Sequence, residues 1–145
     1  MTSRQRQLLL DEIVRSTRLM VAGSVLANHR MAEMLEINAT DLQVLNTIDL
    51  FGALTPRDLS QKTGLSTPGV TVALDRLERA RRVERIPNPV DRRSVLVRSL
   101  VKSAHPAYQT VEKTMRGTLS RYSTGELGII LDFLVKAIPV EPKAK

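Results

Sequence analysis

The chain has 145 residues, of which 42% are hydrophobic, enough to bury the core of one compact domain with added terminal helices. Its net charge of +7 favours a polyanionic partner. Aromatic residues make up only 3% and tryptophan is absent, which argues against a stacking platform for single-stranded nucleic acid. The lack of cysteine excludes disulfides, thiolate zinc sites and thiol-based sensing of peroxide.

The N-terminal residues Met1 to Gln7 are polar, which is not typical of a signal peptide. No apolar run approaches the roughly 20 residues that a membrane span requires. We therefore expect a cytoplasmic protein with no membrane partner.

Helical periodicity predicts the first two elements of the chain. Apolar residues recur at helical spacing from Ser3 to about Leu35, which predicts one long helix, bent near Gly23-Ser24. A second helix should follow, with Thr40 as its N-cap. Its predicted buried stripe comprises Leu42, Leu45, Ile48 and Leu50.

Two short helices joined by a tight turn are predicted next. Thr55 is a suitable N-cap, and Pro56 suits the first helical position because its fixed φ is pre-organised there. Gly64 tolerates the left-handed conformation that such a turn commonly demands, and Ser66 caps the following helix. The inward stripe of that helix is predicted to be Val70, Ala73, Leu74 and Leu77. The pattern predicts a helix-turn-helix.

A β-hairpin with a basic tip is predicted after the helix pair. Its strands, Val83–Ile86 and Ser94–Val97, are separated by a turn that contains proline and aspartate. Because Asp91 lies two residues before Arg93, we expect its carboxylate to hold that guanidinium in one rotamer, ready for a narrow minor groove. Arg92 is placed by alternation to meet phosphate.

The C-terminal part of the chain predicts two further helices. One runs from Ser103 to about Tyr122, with Pro106 in its first turn, where no amide donor is lost. Ser123-Thr124-Gly125-Glu126 resembles a capping box and should open a last helix that stops at Pro139.

The positive charge is concentrated in the helix pair and the hairpin. Ten basic and five acidic residues lie between Thr55 and Leu100, which places +5 of the net charge there. A helix sized for a major groove beside a basic hairpin sized for a minor groove predicts recognition of duplex DNA. The candidate DNA-binding residues are Ser66, Thr67, Pro68, Thr71, Val72, Arg76, Arg79, Asp91, Arg92 and Arg93.

The outward face of the second short helix suggests individual roles. Its hydroxyl groups can hydrogen-bond to base or phosphate, and Val72 can contact the methyl group of thymine. Arg76 could pair bidentately with guanine or clamp a phosphate. Asp75 would repel phosphate, so we expect it to orient Arg76 or Arg79.

Motifs in the helix pair and the hairpin carry a resemblance to a known family. They are Leu59-Ser60-x3-Gly64-Leu65-Ser66-x3-Val70, Leu74-x2-Leu77-Glu78, Val83-Glu84-Arg85 and Asp91-Arg92-Arg93-Ser94-x2-Val97. Together with Ser123-x2-Glu126-Leu127, they resemble the multiple antibiotic resistance regulator (MarR) family of bacterial transcription factors. The resemblance covers about Leu42 to Leu134.

This resemblance implies a homodimer of six-helix subunits with a three-stranded sheet, in which the terminal helices dimerise. Family members usually repress, often their own operon, and many release DNA when a small aromatic acid or an oxidant acts. Without cysteine, the thiol-oxidation mode is excluded. When the roles of the family's residues are transferred to this sequence, Arg93 becomes the minor-groove arginine and Asp91 the residue that orients it. The groove or phosphate contacts become Ser66, Thr67, Thr71 and Arg76.

The predicted fold class is mainly α with a small β-wing: a winged helix-turn-helix core between N- and C-terminal dimerisation helices. We expect an N-terminal dimerisation helix at 1–36, the DNA-binding core at 37–101, C-terminal dimerisation helices at 102–138 and a disordered tail at 139–145. The terminal helices carry more apolar surface than a small core can cover, which favours a homodimer over helices that wrap their own domain. Such a dimer would span a pseudo-palindromic operator.

Other functions find less support in the sequence. No catalytic constellation or cofactor motif is present, so neither an enzyme nor a cofactor is predicted. His29 and Glu33 share a helical face and His105 could approach, but a closed metal site needs three or four ligands, so no metal is predicted. A small aromatic acid effector could find its counter-charge in Arg15 or Arg18. The alternative function is a winged-helix module that binds a protein partner or structured RNA.

Overall fold

The computed structural model describes residues 2–101 and 106–137, and in them the fold is mainly helical with a two-stranded wing, as the sequence predicts. In chain order the elements are α1 (Ser3–Met34), α2 (Ala39–Phe51), α3 (Pro56–Thr63), α4 (Thr67–Arg79), β1 (Val83–Pro87), β2 (Val95–Ser99), α5 (Pro106–Leu119) and α6 (Thr124–Ala137). They divide into two compact units, one within Met1–Lys102 and the other within Ser103–Lys145. The predicted helix start at Ser103, the helix stop at Pro139 and the tail at 139–145 lie outside the described residues.

Helix α1 begins with a capping box and continues for 32 residues. The Thr2 hydroxyl accepts the backbone amide of Gln5 at 3.3 Å, and the Gln5 side chain accepts the amide of Thr2 at 2.8 Å. Gly23 and Ser24, where we expected a bend, lie inside the continuous helix. Most apolar side chains of α1 are exposed, and burial is confined to its C-terminal end at Ala32 and the C-cap Leu35.

Helix α2 supplies the centre of the core, and two predictions about it are wrong. Its N-cap is Asn38 and not Thr40, because the Asn38 side chain accepts the backbone amide of Asp41 at 2.8 Å. Leu50 is 79% exposed. At 100° per residue it lies about 200° round the helix from the buried Ile48, so it cannot share that face. Val44 is buried in its place.

The helix-turn-helix forms as predicted. Thr55 caps α3, Pro56 occupies the first helical position, and Gly64 adopts a left-handed conformation with φ of 73°. Ser66 caps α4. The Ser60 hydroxyl closes the turn by donating to the carbonyl of Leu65 at 2.7 Å, a contact that a larger apolar residue could not make. The predicted inward stripe of Val70, Ala73, Leu74 and Leu77 is fully buried.

Strands β1 and β2 form the antiparallel wing, paired from Val83 opposite Ser99 to Pro87 opposite Val95. Val83 and Val97 are buried and anchor the wing to the core. The third strand implied by the family resemblance is reduced to a single bridge between Leu54 and Val97, whose amides and carbonyls exchange hydrogen bonds of 3.1 and 2.8 Å. The bridge cannot lengthen beyond Leu54 toward the C-terminus because Thr55 already caps α3.

Helices α5 and α6 form the second unit. The predicted capping box is present: the Glu126 carboxylate accepts the amide of Ser123 at 2.8 Å and its hydroxyl at 2.7 Å. These bonds lower the pKa of Glu126 below its ordinary value, the hydroxyl bond contributing most. Neither helix buries a large apolar side chain within the described part of the chain.

The capping box of α3 makes stability depend on pH. The Asp58 carboxylate accepts the Thr55 hydroxyl at 2.7 Å and its amide at 3.1 Å, and these bonds lower the pKa of Asp58 below 3.8. Because the folded pKa is the lower one, this stabilisation is complete above the unfolded pKa and is lost as pH falls through the folded pKa. We expect Asp58→Asn to lower the free energy of unfolding by about 1 kcal/mol at pH 7.

The measurement is urea unfolding followed by circular dichroism, at one protein concentration, between pH 7 and pH 3. The difference between parent and Asp58→Asn should shrink toward the acid end, whereas Glu36→Gln, which removes another exposed carboxylate, should differ little from the parent throughout. A loss for Asp58→Asn that stays constant with pH would contradict the role of the ionised cap.

Candidate nucleic-acid interface

The N-terminal half of α4 presents an uncharged surface to solvent. We define the recognition face as Thr67, Pro68, Thr71 and Val72, all of which are exposed. It forms because the apolar residues of α4 point the other way, into contact with α2 and α3. Ser66, also exposed, stands immediately before this face as the N-cap. The structure thus brings five of the predicted site residues together.

The hydroxyl groups beside this face are already partly engaged. Ser66 Oγ accepts the amide of Gly69 at 3.2 Å, and Thr71 Oγ1 donates its proton to the carbonyl of Thr67 at 3.1 Å. Thr71 therefore keeps acceptor lone pairs directed outward but has no free proton in this rotamer. In this rotamer Thr71 can accept a hydrogen bond from a base but cannot donate one.

The wing tip is braced by side chains that bind its own backbone. Asn88 accepts the amide of Val90 at 3.0 Å and donates to the hydroxyl of Ser94 at 2.8 Å. We expected the Asp91 carboxylate to bind the guanidinium of Arg93. It accepts the backbone amide of Arg93 at 2.9 Å instead. Arg92 and Arg93 are exposed at this tip. Their backbone is fixed while their side chains stay free to reach outward.

Arg76 makes a bidentate ion pair with Asp41 of α2. Its Nη2 donates to Oδ1 at 2.6 Å and its Nε to Oδ2 at 2.9 Å, while Asn38 donates to Oδ2 at 3.1 Å. Asp41 is 2% exposed, whereas the Arg76 side chain is 38% exposed. The hydrogen bonds to Asp41 raise the pKa of Arg76 above its ordinary value. One edge of the guanidinium is therefore anchored inside and the other faces solvent.

A second cluster joins the wing to α4. Arg85 of β1 donates to Asp75 at 2.7 Å and also binds Glu78. The hydrogen bond to Asp75 is the largest of several effects that raise the pKa of Arg85. Our expectation that the Asp75 carboxylate orients Arg76 or Arg79 is wrong: that carboxylate is taken by Arg85, and Arg79 Nε donates to the Asp75 carbonyl at 3.2 Å.

A third arginine links the start of the wing to the end of α1. Arg82 Nη2 donates to the carbonyl of Leu35 at 2.9 Å, one of the carbonyls that the end of a helix leaves without a partner. A guanidinium there also complements the negative end of the helix dipole. The Arg82 Nε is buried and has no hydrogen-bond partner among the described residues.

Sequence reasoning missed three residues that organise this surface. Asp41 could have been found, because it lies on the same arc of α2 as Leu45 and Ile48, and a carboxylate on an apolar face needs a buried partner. Asn88 could also have been found, since asparagine commonly binds the backbone two residues on in a turn. Nothing local predicts that Arg82 reaches back to Leu35, 47 positions earlier.

The remaining candidates are dispersed. Arg15 and Arg18 line an open hollow along α1 together with Asp11, Val14 and Leu19. His29 and Glu33 are exposed on α1, and His105 lies outside the described residues. Residues 2–101 and 106–137 contain no group of three side chains able to hold a metal ion, and no helix among them is long and apolar enough to cross a membrane.

A helix-turn-helix followed by a hairpin wing with exposed arginines defines a winged-helix protein of the transcriptional-regulator class. Comparison with known proteins narrows this class. The model of the MarR family matches residues 35–94. The uncharacterised HTH-type transcriptional regulator YcgE of Bacillus subtilis is 31% identical over 142 residues, which are 96% of this chain and 92% of the relative. The multiple antibiotic resistance protein MarR of Salmonella typhimurium is 32% identical over 107 residues, 72% of this chain and 74% of that protein.

Two solved structures of MarR also match this chain. The apo form of wild-type MarR from Escherichia coli matches with a TM-score of 0.57 and 25% identity, over 86% of this chain and 95% of that chain. A mutant of the same protein complexed with operator DNA matches with a TM-score of 0.51 and 28% identity, over 90% of this chain and 99% of that chain. The chain belongs to the MarR family of transcriptional regulators.

Asp41 is more deeply buried than Arg76 in their ion pair. We therefore expect substitutions of the two residues to lower the free energy of unfolding by unequal amounts. Arg76→Ala leaves a buried carboxylate with only the Asn38 amide as its side-chain partner. We expect it to lower the free energy of unfolding by about 2 kcal/mol, less than for a fully buried pair because the guanidinium is partly in water. Asp41→Asn keeps a polar partner and lets Arg76 turn to solvent, so its loss should be about 1 kcal/mol.

Urea unfolding of both variants at one protein concentration measures these losses. Arg116→Ala removes a solvent-exposed arginine that is paired within α5 and should change stability little. Equal losses for Arg76→Ala and Asp41→Asn, or a larger loss for Asp41→Asn, would refute the argument from burial.

Proposed function

We propose that the protein is a homodimeric repressor that binds a pseudo-palindromic operator in duplex DNA and is released by a small-molecule effector. The observation that carries the proposal is that the recognition face and the two wing arginines are exposed on one core, with Arg85 fixing the wing to α4. The mutant of Escherichia coli MarR complexed with operator DNA supports it by likeness. Since operator DNA lies in the cytoplasm of bacteria, the proposal places the protein there.

The proposed contacts follow from charge and position. The recognition face enters the major groove, with Ser66 at its edge, and Arg93 enters the adjacent minor groove, whose negative potential attracts a guanidinium. Arg92 and Arg79, both exposed, and the free edge of Arg76 meet phosphates. Asp91 contributes by holding the backbone of the wing tip.

Exposed apolar side chains support the homodimer. The terminal helices carry many large hydrophobic residues that a single chain leaves in solvent, far more than scattered surface positions require. Those at least half exposed are Leu8, Leu9, Val14, Leu19, Met20, Val21, Val25, Leu26 and Met34 on α1, Val111 and Met115 on α5, and Ile129, Leu131 and Val135 on α6. A two-fold dimer would bury them and set two half-site centres about one helical turn, near 34 Å, apart.

The effector is proposed to be a small aromatic acid. Arg18 and Arg15, the latter paired with Glu12, border the hollow along α1. Although Asp11 also lines it, a carboxylate would find positive charge there and its ring would find Val14 and Leu19. Because one helix cannot enclose a ligand, other helices would have to complete this site, and we propose that a second copy of the chain supplies them. Such a ligand would bias the dimer helices and through them the spacing of the two wings.

The alternative function, recognition of a protein partner or structured RNA, has less support. A protein-binding version should expose an apolar patch on α4, and Val72 is the single large hydrophobic side chain exposed on the described α4.

The wing assignment predicts a specific loss of DNA affinity. Arg93→Ala should weaken operator binding by about 1–3 kcal/mol and make the affinity less dependent on salt, because one fewer cation displaces counterions. Fluorescence anisotropy on a salt series measures both effects. Arg121→Ala, an exposed arginine between α5 and α6, removes the same charge outside the wing and should bind like the parent. Equal affinities of Arg93→Ala and parent at every salt concentration would rule out the wing contact.

The dimer proposal predicts that charge on α1 separates the subunits. Leu19→Asp and Leu26→Asp made together place two carboxylates one heptad apart on the same helical face, and we expect a monomer with greatly reduced operator affinity. Leu50→Asp with Val90→Asp, two exposed positions outside the terminal helices, should keep the parent mass. Sedimentation equilibrium gives the masses. A double α1 variant with an unchanged dimer dissociation constant would refute the assignment.

A further inference from the structure

We propose that Val72 determines specificity by contacting the 5-methyl group of a thymine in the major groove of each half-site. The proposal rests on the DNA-binding function proposed above and deepens it by naming the base that α4 selects. Exposed apolar residues scattered on a protein surface need no explanation. Val72 differs because it stands, 51% exposed, within the face that a recognition helix turns toward bases.

The N-terminal part of α4 carries no side chain able to make the commonest base contact. Bidentate recognition of guanine in the major groove uses arginine or lysine. The first two turns of α4, from Thr67 to Leu74, carry no charged side chain. Arg76 binds Asp41 through its Nε and Nη2, and the edge of the guanidinium that stays free is the one proposed above to meet phosphate. Arg79 lies at the last position of the helix, about two turns beyond Thr71.

What is left on the recognition face suits thymine. Thr71 has committed its proton to the carbonyl of Thr67 and offers only acceptor lone pairs. A branched apolar side chain can instead contact the methyl group that distinguishes thymine from every other base in this groove. Val72 is well suited because a β-branched residue in a helix occupies one dominant χ1 rotamer, so its two methyl groups lose little entropy on contact.

Contacts of neighbouring residues fix the position of Val72 relative to the core. One turn before it lies Pro68 and one turn after it Arg76, whose pairing with Asp41 ties this side of α4 to α2. On the buried side, Ala73 next to Val72 is inaccessible to solvent. The position of the Val72 methyl groups is therefore set by the core of the protein and not by a flexible side chain.

Uracil provides the test, because it lacks the 5-methyl group but pairs with adenine and presents the same minor-groove edge as thymine. The full-length protein first selects duplexes from a random-sequence pool. In the preferred duplex, each thymine is then replaced singly by uracil, and dissociation constants are measured for the parent, Val72→Ala and Val90→Ala. Val72→Ala should fold normally because alanine is the better helix former at an exposed position, and circular dichroism checks this.

We expect one thymine per half-site at which uracil weakens binding by the parent about three- to tenfold, the scale of losing one methyl contact. Val72→Ala should bind the thymine duplex with a larger loss, because it removes the contact from both half-sites, and it should no longer distinguish uracil from thymine at that position. Val90→Ala removes the same methyl groups from the exposed wing and should keep the parent's sensitivity to uracil.

Two results would overturn the proposal while leaving DNA binding intact: a parent protein insensitive to uracil at every thymine, or Val72→Ala with the parent's full sensitivity. Selection that enriches no sequence would overturn the proposed function and this inference together. If Arg93→Ala weakens binding to the selected duplex while no uracil substitution changes the dissociation constant of the parent, only the proposed role of Val72 is refuted.

Discussion

The ion pair between Asp41 and Arg76 is the interaction on which the rest of the surface depends. Asp41 lies at the centre of the buried arc of α2, where an ionised carboxylate is tolerated only with a partner. Arg76 reaches it from the border of the buried face of α4, about 60° round the helix from Ala73. Because the bond is bidentate, it fixes the rotation of α4 about its own axis as well as its distance from α2. That rotation decides which residues form the recognition face.

The arginines of the core divide into those that build the surface and those that remain available on it. Arg76, Arg82 and Arg85 each bind an acid or a helix carbonyl. Together they tie α2 and the wing to α4, and the end of α1 to the start of the wing. Arg92 and Arg93 pair with no carboxylate among the described residues. The net charge between Thr55 and Leu100 therefore does not tell which basic side chains can contact phosphate, since several of these side chains bind other parts of the protein.

Local signals predicted much of this fold, and long-range contacts account for what they missed. The caps at Thr55, Ser66 and Ser123 and the left-handed Gly64 follow from the residue itself and its immediate neighbours, so a sequence suffices. The prediction of Thr40 as the N-cap of α2 was wrong because Asn38, two residues earlier, caps the helix with its own side chain. The partner of Asp75 could not be predicted because Arg85 lies on another element, and only the folded wing brings it near.

The same geometry separates affinity from specificity on this surface. On the proposed function, contacts of Arg92 at the wing tip and of Arg79 at the end of α4 with phosphate would give affinity that depends on salt and carries little sequence information. The recognition face is uncharged, so it adds little to non-specific attraction. Its hydroxyl and methyl groups are held by a buried ion pair and a packed helix face, which on the proposed function would let them discriminate between bases without a change of conformation. On the proposed function, a rigid uncharged surface between cationic contacts would let the protein bind any duplex weakly and few sequences tightly.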